Sequence, residues 1–353
     1  MSTLFKGERP ASPGSARPPI LPEANLRFDG RARPLAWLAC FTVAPSGGSG
    51  HIAQMADWGT RALEQKLGDG LRARLPGWMA ETVMFFAKQA WAALFGLLFL
   101  AALLISKYIW QPDWIITRFD GLFIFAVVTQ ALMLWTKLES WEEARVIVIF
   151  HITGTVMEFF KVAQGSWSYP EEAVMMIAGV PLFSGFMYAS VGSYVARATR
   201  IFDMKFAPYP PIWITFLFGA LCYINFFAHH FTYDIRVALF AGSVLLFGRT
   251  RVWFFAGKQA RWMPMPLAAL CCGFVLWVAE YVGTTLTATW LYAGQEQWQR
   301  VNWAKMGSWY LLLYVAFITV TLVSRSALIP HKIRPEDRDE IIGTEGRPAP
   351  AAE

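Results

Sequence analysis

Long stretches of apolar residues, broken only by short charged or Pro/Gly-containing segments, constrain this chain more than any other feature. A run of about 20 mostly apolar residues, folded as a helix, crosses the roughly 30 Å hydrocarbon core of a bilayer with every backbone polar group satisfied internally. The composition agrees, with 56% hydrophobic and only 16% charged residues, against roughly 25% charged in soluble domains. The sequence therefore predicts an all-α, polytopic transmembrane bundle of about eight spans. These are Ala90 to Trp110, Trp114 to Thr136, Ala144 to Val162, Ala173 to Ala196, Pro211 to Ala228, Ile235 to Phe255, Pro266 to Leu291 and Met306 to Leu328. Around the bundle, taken as residues 89–328, residues 1–54 read as a disordered Pro/Gly/Arg-rich segment, 55–88 as an amphipathic membrane-surface region and 329–353 as a disordered tail.

The sixth span is short, because Gly248-Arg249-Thr250-Arg251 interrupts it. Charge bias argues for keeping it. Lys and Arg accumulate in the cytoplasmic loops of membrane proteins, and with eight crossings the basic residues Arg197, Arg200, Lys205, Arg249, Arg251 and Arg325 fall on one side. The expected location is the cell inner (cytoplasmic) membrane, with both termini cytoplasmic. The same logic assigns the net charge of +6 to membrane flanks, so the bilayer and not nucleic acid is the expected partner. No P-loop, GxSxG or strand-borne GxGxxG is present, and no motif indicates a cofactor.

Ionisable side chains inside hydrocarbon are costly, by about 2.5–3.5 kcal/mol near a helix centre on insertion scales, so each calls for a reason. His151, Gly154, Glu158 and Lys161 recur at helical spacing and share one face of the third span. In the seventh, Gly273, Trp277, Glu280, Thr284 and Thr287 form a similar stripe, while the fifth ends in Asn225, His229 and His230 and the second begins with Arg118 and Asp120. The eight-span topology places Asp120, Glu158, Lys161, Asn225, His229, His230 and Glu280 in the outer half of the membrane or at its outer edge. Two readings follow. In one, Glu158 and Lys161 form an ion pair, Asp120 neutralises Arg118 and the histidines sit at headgroup level. In the other, the groups line an outward-facing pocket for an apolar small molecule such as a lipid or isoprenoid. Glu158 and Glu280 then serve as catalytic acid/base groups, with His151 as partner and Lys161 as electrostatic stabiliser. Trp167, Tyr169, Asn225, His229, His230 and Asp120 would contact the substrate. A proton-coupled transporter or a non-catalytic membrane scaffold would use the same residues differently. His and Glu are metal-ligand types, but no HExxH pair exists, and adjacent histidines diverge by about 100° on a helix. No metal is therefore expected.

The run His151-x-x-Gly-x-x-Met-Glu-Phe-Phe-Lys161, followed by Gly165-Ser-Trp-Ser-Tyr-Pro-Glu171, resembles a family of bacterial multi-pass membrane proteins, domain of unknown function 817. The resemblance extends from about residue 70 to 330 and implies a membrane location, with no activity attached.

Overall fold

The computed structural model describes residues 66–257, 260–293 and 301–333. The N-terminal segment predicted as disordered, residues 55–65 of the amphipathic region and most of the C-terminal tail lie outside them. After a helical stretch at residues 66–72, nine α-helices follow in the described residues: α1 Gly77–Ala92, α2 Leu94–Ile109, α3 Arg118–Trp135, α4 Trp141–Ala163, α5 Ser184–Ile201, α6 Ile212–Ala228, α7 Arg236–Phe247, α8 Met265–Tyr281 and α9 Ala304–Val323. A π-helical turn, Val282–Leu286, extends α8.

The described residues do not support eight spans. Among the described residues, four helices (α3, α4, α8 with its π-turn, and α9) are long and apolar enough to cross a membrane, and α1 and α2 make a fifth only if the pair, bent by 72°, counts as one. Helices α6 and α7 have 17 and 12 residues, which at 1.5 Å per residue gives about 26 and 18 Å, short of a full crossing. The predicted fourth span fails differently. Its first half is the hairpin β2 Met176–Ile177 and β3 Val180–Pro181, and only from Ser184 onward is it helical. The predicted sixth span divides at Gly248 into α7 and a strand, β5 Arg251–Phe255. With that span gone, the charge-bias argument loses its premise, because it assumed the count it was used to support.

Strands also correct the all-α expectation. Besides the hairpin, β4 Lys205–Ala207, β5 and β6 Ala260–Pro264 form a three-stranded antiparallel sheet with Phe206 opposite Val252 and Trp253 opposite Trp262. The short β1 Trp167–Ser168 pairs with β7 Leu291–Tyr292, which sets Trp167 opposite Tyr292.

Local chemistry starts and stops the helices that matter most. Ser140 and Glu143 cap α4 reciprocally, each side chain taking the other residue's backbone N–H, at 3.2 and 2.7 Å. Thr117 caps α3 by accepting from the Asp120 amide. Helices α4 and α5 then pack face to face through small residues. A Cβ on Gly154 would lie 2.6 Å from Tyr188, and one on Gly185 would lie 2.5 Å from His151 Nδ1. Larger residues would push the helices apart.

Candidate functional site

Glu158 lies on α4 facing α5, and only 2% of it is exposed. Uncharged donors surround its carboxyl group. Tyr188 OH donates to Oε1 at 2.6 Å, while Trp167 Nε1 and Tyr169 OH both donate to Oε2 at 2.8 Å. The donors come from different elements: Tyr188 from α5, Trp167 from β1 and Tyr169 from the loop that follows it. Tyr169 itself is held well above the usual tyrosine pKa by burial and then by the neighbouring Glu158, so its hydroxyl remains a donor.

Glu280, 4% exposed near the C-terminus of α8, repeats the arrangement. Tyr292 OH donates to Oε1, and Trp309 Nε1 donates to Oε2 at 2.6 Å. Immediately after Glu280 the chain takes its π-turn. Inserted π-turns re-aim a helix end and recur at functional sites; here the following segment returns so that Trp290 packs on Gly283, where a Cβ would come within 2.0 Å of the indole. Two residues later Tyr292 reaches the carboxyl. Burial, and then the Glu280 charge, hold the Tyr292 phenol well above its ordinary range.

The two carboxyl groups belong to one assembly. Trp167, which holds Glu158, is the cross-strand partner of Tyr292, which holds Glu280, and their rings meet edge to face at 5.8 Å. Both acids line a single large cavity of about 1160 Å³. Its walls are mostly apolar, including Leu97, Leu100, Met187, Val191 and Val275. Among the described residues no cation lies within ion-pair distance of either acid.

That geometry disposes of the ion pairs suggested by sequence spacing. Lys161 does not pair with Glu158; its ammonium group meets His230 Nε2 at 2.8 Å and sits 4.2 Å above the Phe226 ring. Arg118 does not neutralise Asp120 but forms a salt bridge with Glu171 at 2.7 Å. Asp120 instead accepts the amides of Val174 and Met175 at 3.0 and 2.7 Å, fixing the loop before β2.

Of the residues singled out in the sequence, Glu158, Glu280, Lys161, Trp167, Tyr169, Asn225 and His229 line the cavity. Asn225 also ties α6 to α7, donating to Asp234 and accepting the Ile235 amide, both at 3.1 Å. His230 stands behind Lys161, and its pKa is lowered by burial and by the neighbouring Lys161 and His229 charges. His151 is not brought to the cavity: its ring packs on Phe186 at 4.7 Å, and its buried Nδ1 has no partner. Asp120 does not line it either. Among the described residues no cluster of three or more His, Cys, Asp or Glu side chains is arranged to hold a metal. Sequence reasoning missed Tyr188, Tyr292, Trp309 and Lys305. Spacing alone did hold a clue to Lys305, a basic residue at the first turn of an apolar helix.

Residues 81–317 match a family described as protein of unknown function (DUF817). Among curated proteins, the uncharacterized protein YoaT of Bacillus subtilis (strain 168) is 39% identical over 241 residues, covering 68% of this chain and 90% of that protein. No solved structure gives a significant match.

Proposed function

Because this chain belongs to the DUF817 family, proteins of unknown function, its activity has to be argued from the cavity, and we propose that it is a polytopic membrane protein that binds a lipid or isoprenoid there and acts on it through Glu158 and Glu280. The observation that carries this reading is the opening of both acids, each hydrogen-bonded among the described residues only by aromatic donors, onto one large apolar-walled chamber. A chamber of about 1160 Å³ exceeds the 300–1,000 Å³ of ordinary small-molecule sites and suits a long chain. The helices long and apolar enough to cross a bilayer would let such a molecule enter without passing through water.

Neutral donors do what cations would not. They orient a carboxyl group without fixing its charge, so each acid remains able to exchange a proton with a bound substrate. Trp167 and Tyr292, set edge to face between the two acids, would hold the substrate's reacting segment against both, and Lys161 would stabilise negative charge as it develops. The inner membrane is the location we assign.

Proton-coupled transport is the second reading. It is favoured by the reach of the cavity along α8 from Glu280 to Ala268, and on to Gln89 and Tyr194, whose side chains are hydrogen-bonded at 2.9 Å. Polar groups at both ends are what a relay needs.

Organic extraction and mass spectrometry of the purified protein test the binding claim. Wild type should release a co-purified apolar compound, and Ser190→Trp, which adds an indole at the cavity wall where Ser190 faces Gly96, should not. Equal amounts from the two proteins would refute it. Comparison of cellular lipids with wild type, Glu158→Gln or Glu280→Gln then separates the readings. A shifted lipid species marks chemistry, whereas an unchanged profile with altered proton flux marks transport.

A further inference from the structure

The cavity has a second chemical feature, concentrated at one end. Lys161 in the last turn of α4, Arg236 at the start of α7 and Lys305 at the start of α9 all line it. They are close enough for their charges to act on one another, Lys161 on both Lys305 and Arg236, and Arg236 on Lys305. Such a cluster is repulsive unless anions answer it. The described residues supply few. Asp234 pairs with Arg236 at 2.8 Å. Glu280 acts on Lys305 without an ion-pair contact, and its oxygens are already taken by Tyr292 and Trp309.

Each lysine rests on groups that tolerate a cation but do not neutralise it. Lys161, only 2% exposed, has the His230 imidazole and the Phe226 face. Lys305 lies 3.6 Å from the centre of the Tyr292 ring. Cation–π contacts of this kind contribute about 0.5–2 kcal/mol, far less than the desolvation of a buried ammonium. Arg236 donates to Ser308 Oγ at 3.3 Å, and the N-termini of α7 and α9, whose dipoles favour negative charge, open onto the same place. Among the described residues, buried Lys161 and half-buried Lys305 stand beside Arg236 with no carboxylate in ion-pair contact with either lysine, an arrangement that suits an anion brought by a ligand.

Resting on the cavity reading above, we propose that the occupant is a phosphate-bearing amphiphile: its tail lies along the apolar length, and its phosphate is held by Lys161, Arg236 and Lys305. Arg236 and the lysines differ in role. The guanidinium can chelate two phosphate oxygens, while the ammonium groups act as point charges on either side. The headgroup would then lie beside Tyr292, and the first part of the tail would run past Trp167 and both carboxyl groups. This identifies the reacting segment as the end of the molecule next to the phosphate.

The test compares three probes on the full-length protein in detergent: oleoyl lysophosphatidate, mono-oleoylglycerol with the same tail and no phosphate, and inorganic phosphate. Wild type should bind the lysophosphatidate at least about tenfold more tightly than mono-oleoylglycerol, the effect of one good charge-assisted hydrogen bond, and inorganic phosphate should not displace it. In Lys161→Gln and Lys305→Gln that ratio should fall severalfold, and in the double variant it should approach one. Equal wild-type affinities for the two oleoyl compounds would overturn the phosphate claim and leave the cavity reading standing. Displacement by inorganic phosphate alone would overturn the amphiphile, and failure of both oleoyl probes to bind would overturn both readings. The wild-type ratio needs no variant, so misfolding of a mutant cannot mask the result.

Discussion

Two buried polar clusters occupy different parts of this molecule, and they are built on opposite principles. Around the α3–α4 connection, Glu139 accepts from Ser193 at 2.5 Å and from Gln130, and Arg197, wholly buried, donates to the backbone carbonyls of Leu138 and Trp91 at 2.8 and 2.7 Å. Arg197 also acts on both Glu139 and Glu143, and Glu143 pairs with Arg200 at 2.9 Å. Every carboxylate there has a cation within electrostatic reach. At the cavity, Glu158 has aromatic donors alone, and Glu280 has aromatic donors with Lys305 within electrostatic reach but not in ion-pair contact. The first arrangement ties α3, α4 and α5 into one geometry. The second leaves the acids and lysines, among the described residues, without ion-pair contacts to one another, which suits a site for a ligand.

Breaking the first cluster should give the largest effect on stability. Arg197→Met removes the guanidinium that bridges the Leu138 and Trp91 carbonyls and leaves buried Glu139 without its cation, and should destabilise by about 3–5 kcal/mol, measured by denaturant unfolding in detergent. An effect under about 1 kcal/mol would mean that water replaces the arginine and that the two clusters are not different in kind.

At the cavity the order should reverse, with function more sensitive than stability. Glu158→Gln keeps the side-chain shape and still accepts hydrogen bonds through its oxygen, so the unfolding midpoint should move little. Turnover should fall by about 10²–10⁴, the usual contribution of a general acid or base. A large stability loss with activity retained would reassign Glu158 to the structural class.

Sequence alone showed part of this. Glu158 and Glu280 were legible because a carboxyl group in an apolar run is rare enough to need a reason, and helical spacing gave them faces. Their partners were not. Tyr188, Tyr292 and Trp309 belong to residue types that also fill interfaces and cores, and Tyr292 gains its role only through the β1–β7 pairing, a long-range contact without a local signature. The span count failed for a related reason. Hydropathy registers that Ile235 to Phe255 is apolar but not that the chain turns at Gly248 into a strand, nor that Ala173 to Phe183 folds as a hairpin before α5 begins. Ion pairs inferred from spacing failed because Arg118 and Lys161 found partners on other elements, Glu171 and His230.

A smaller effect should come from Tyr188→Phe, which removes one of three donors to Glu158. The loss should be about 1–3 kcal/mol in stability, with part of it recovered when Glu158→Gln is added. Full additivity of the two changes would show that they do not interact.

The smallest belongs to His230, behind Lys161. Folding lowers its pKa below the ordinary 6.5, so in acid the native state holds fewer protons than the unfolded chain. Stability is therefore lost as pH falls from about 6.5 through the folded value and is unaffected well above it. His230→Gln should flatten the pH dependence of unfolding in that window. A slope unchanged by the substitution would remove His230 as its source.

The central claim is that Glu158 and Glu280 share one chamber and one ligand. A double-mutant cycle on ligand retention measures this most directly, using Glu158→Gln, Glu280→Gln and the pair, with the co-purified compound quantified per mole of protein. A shared ligand predicts a coupling of about 0.5–3 kcal/mol, the range for residues in one network, so that the second substitution adds much less than it does alone. Strictly additive losses would contradict the account and place the two acids in separate sites.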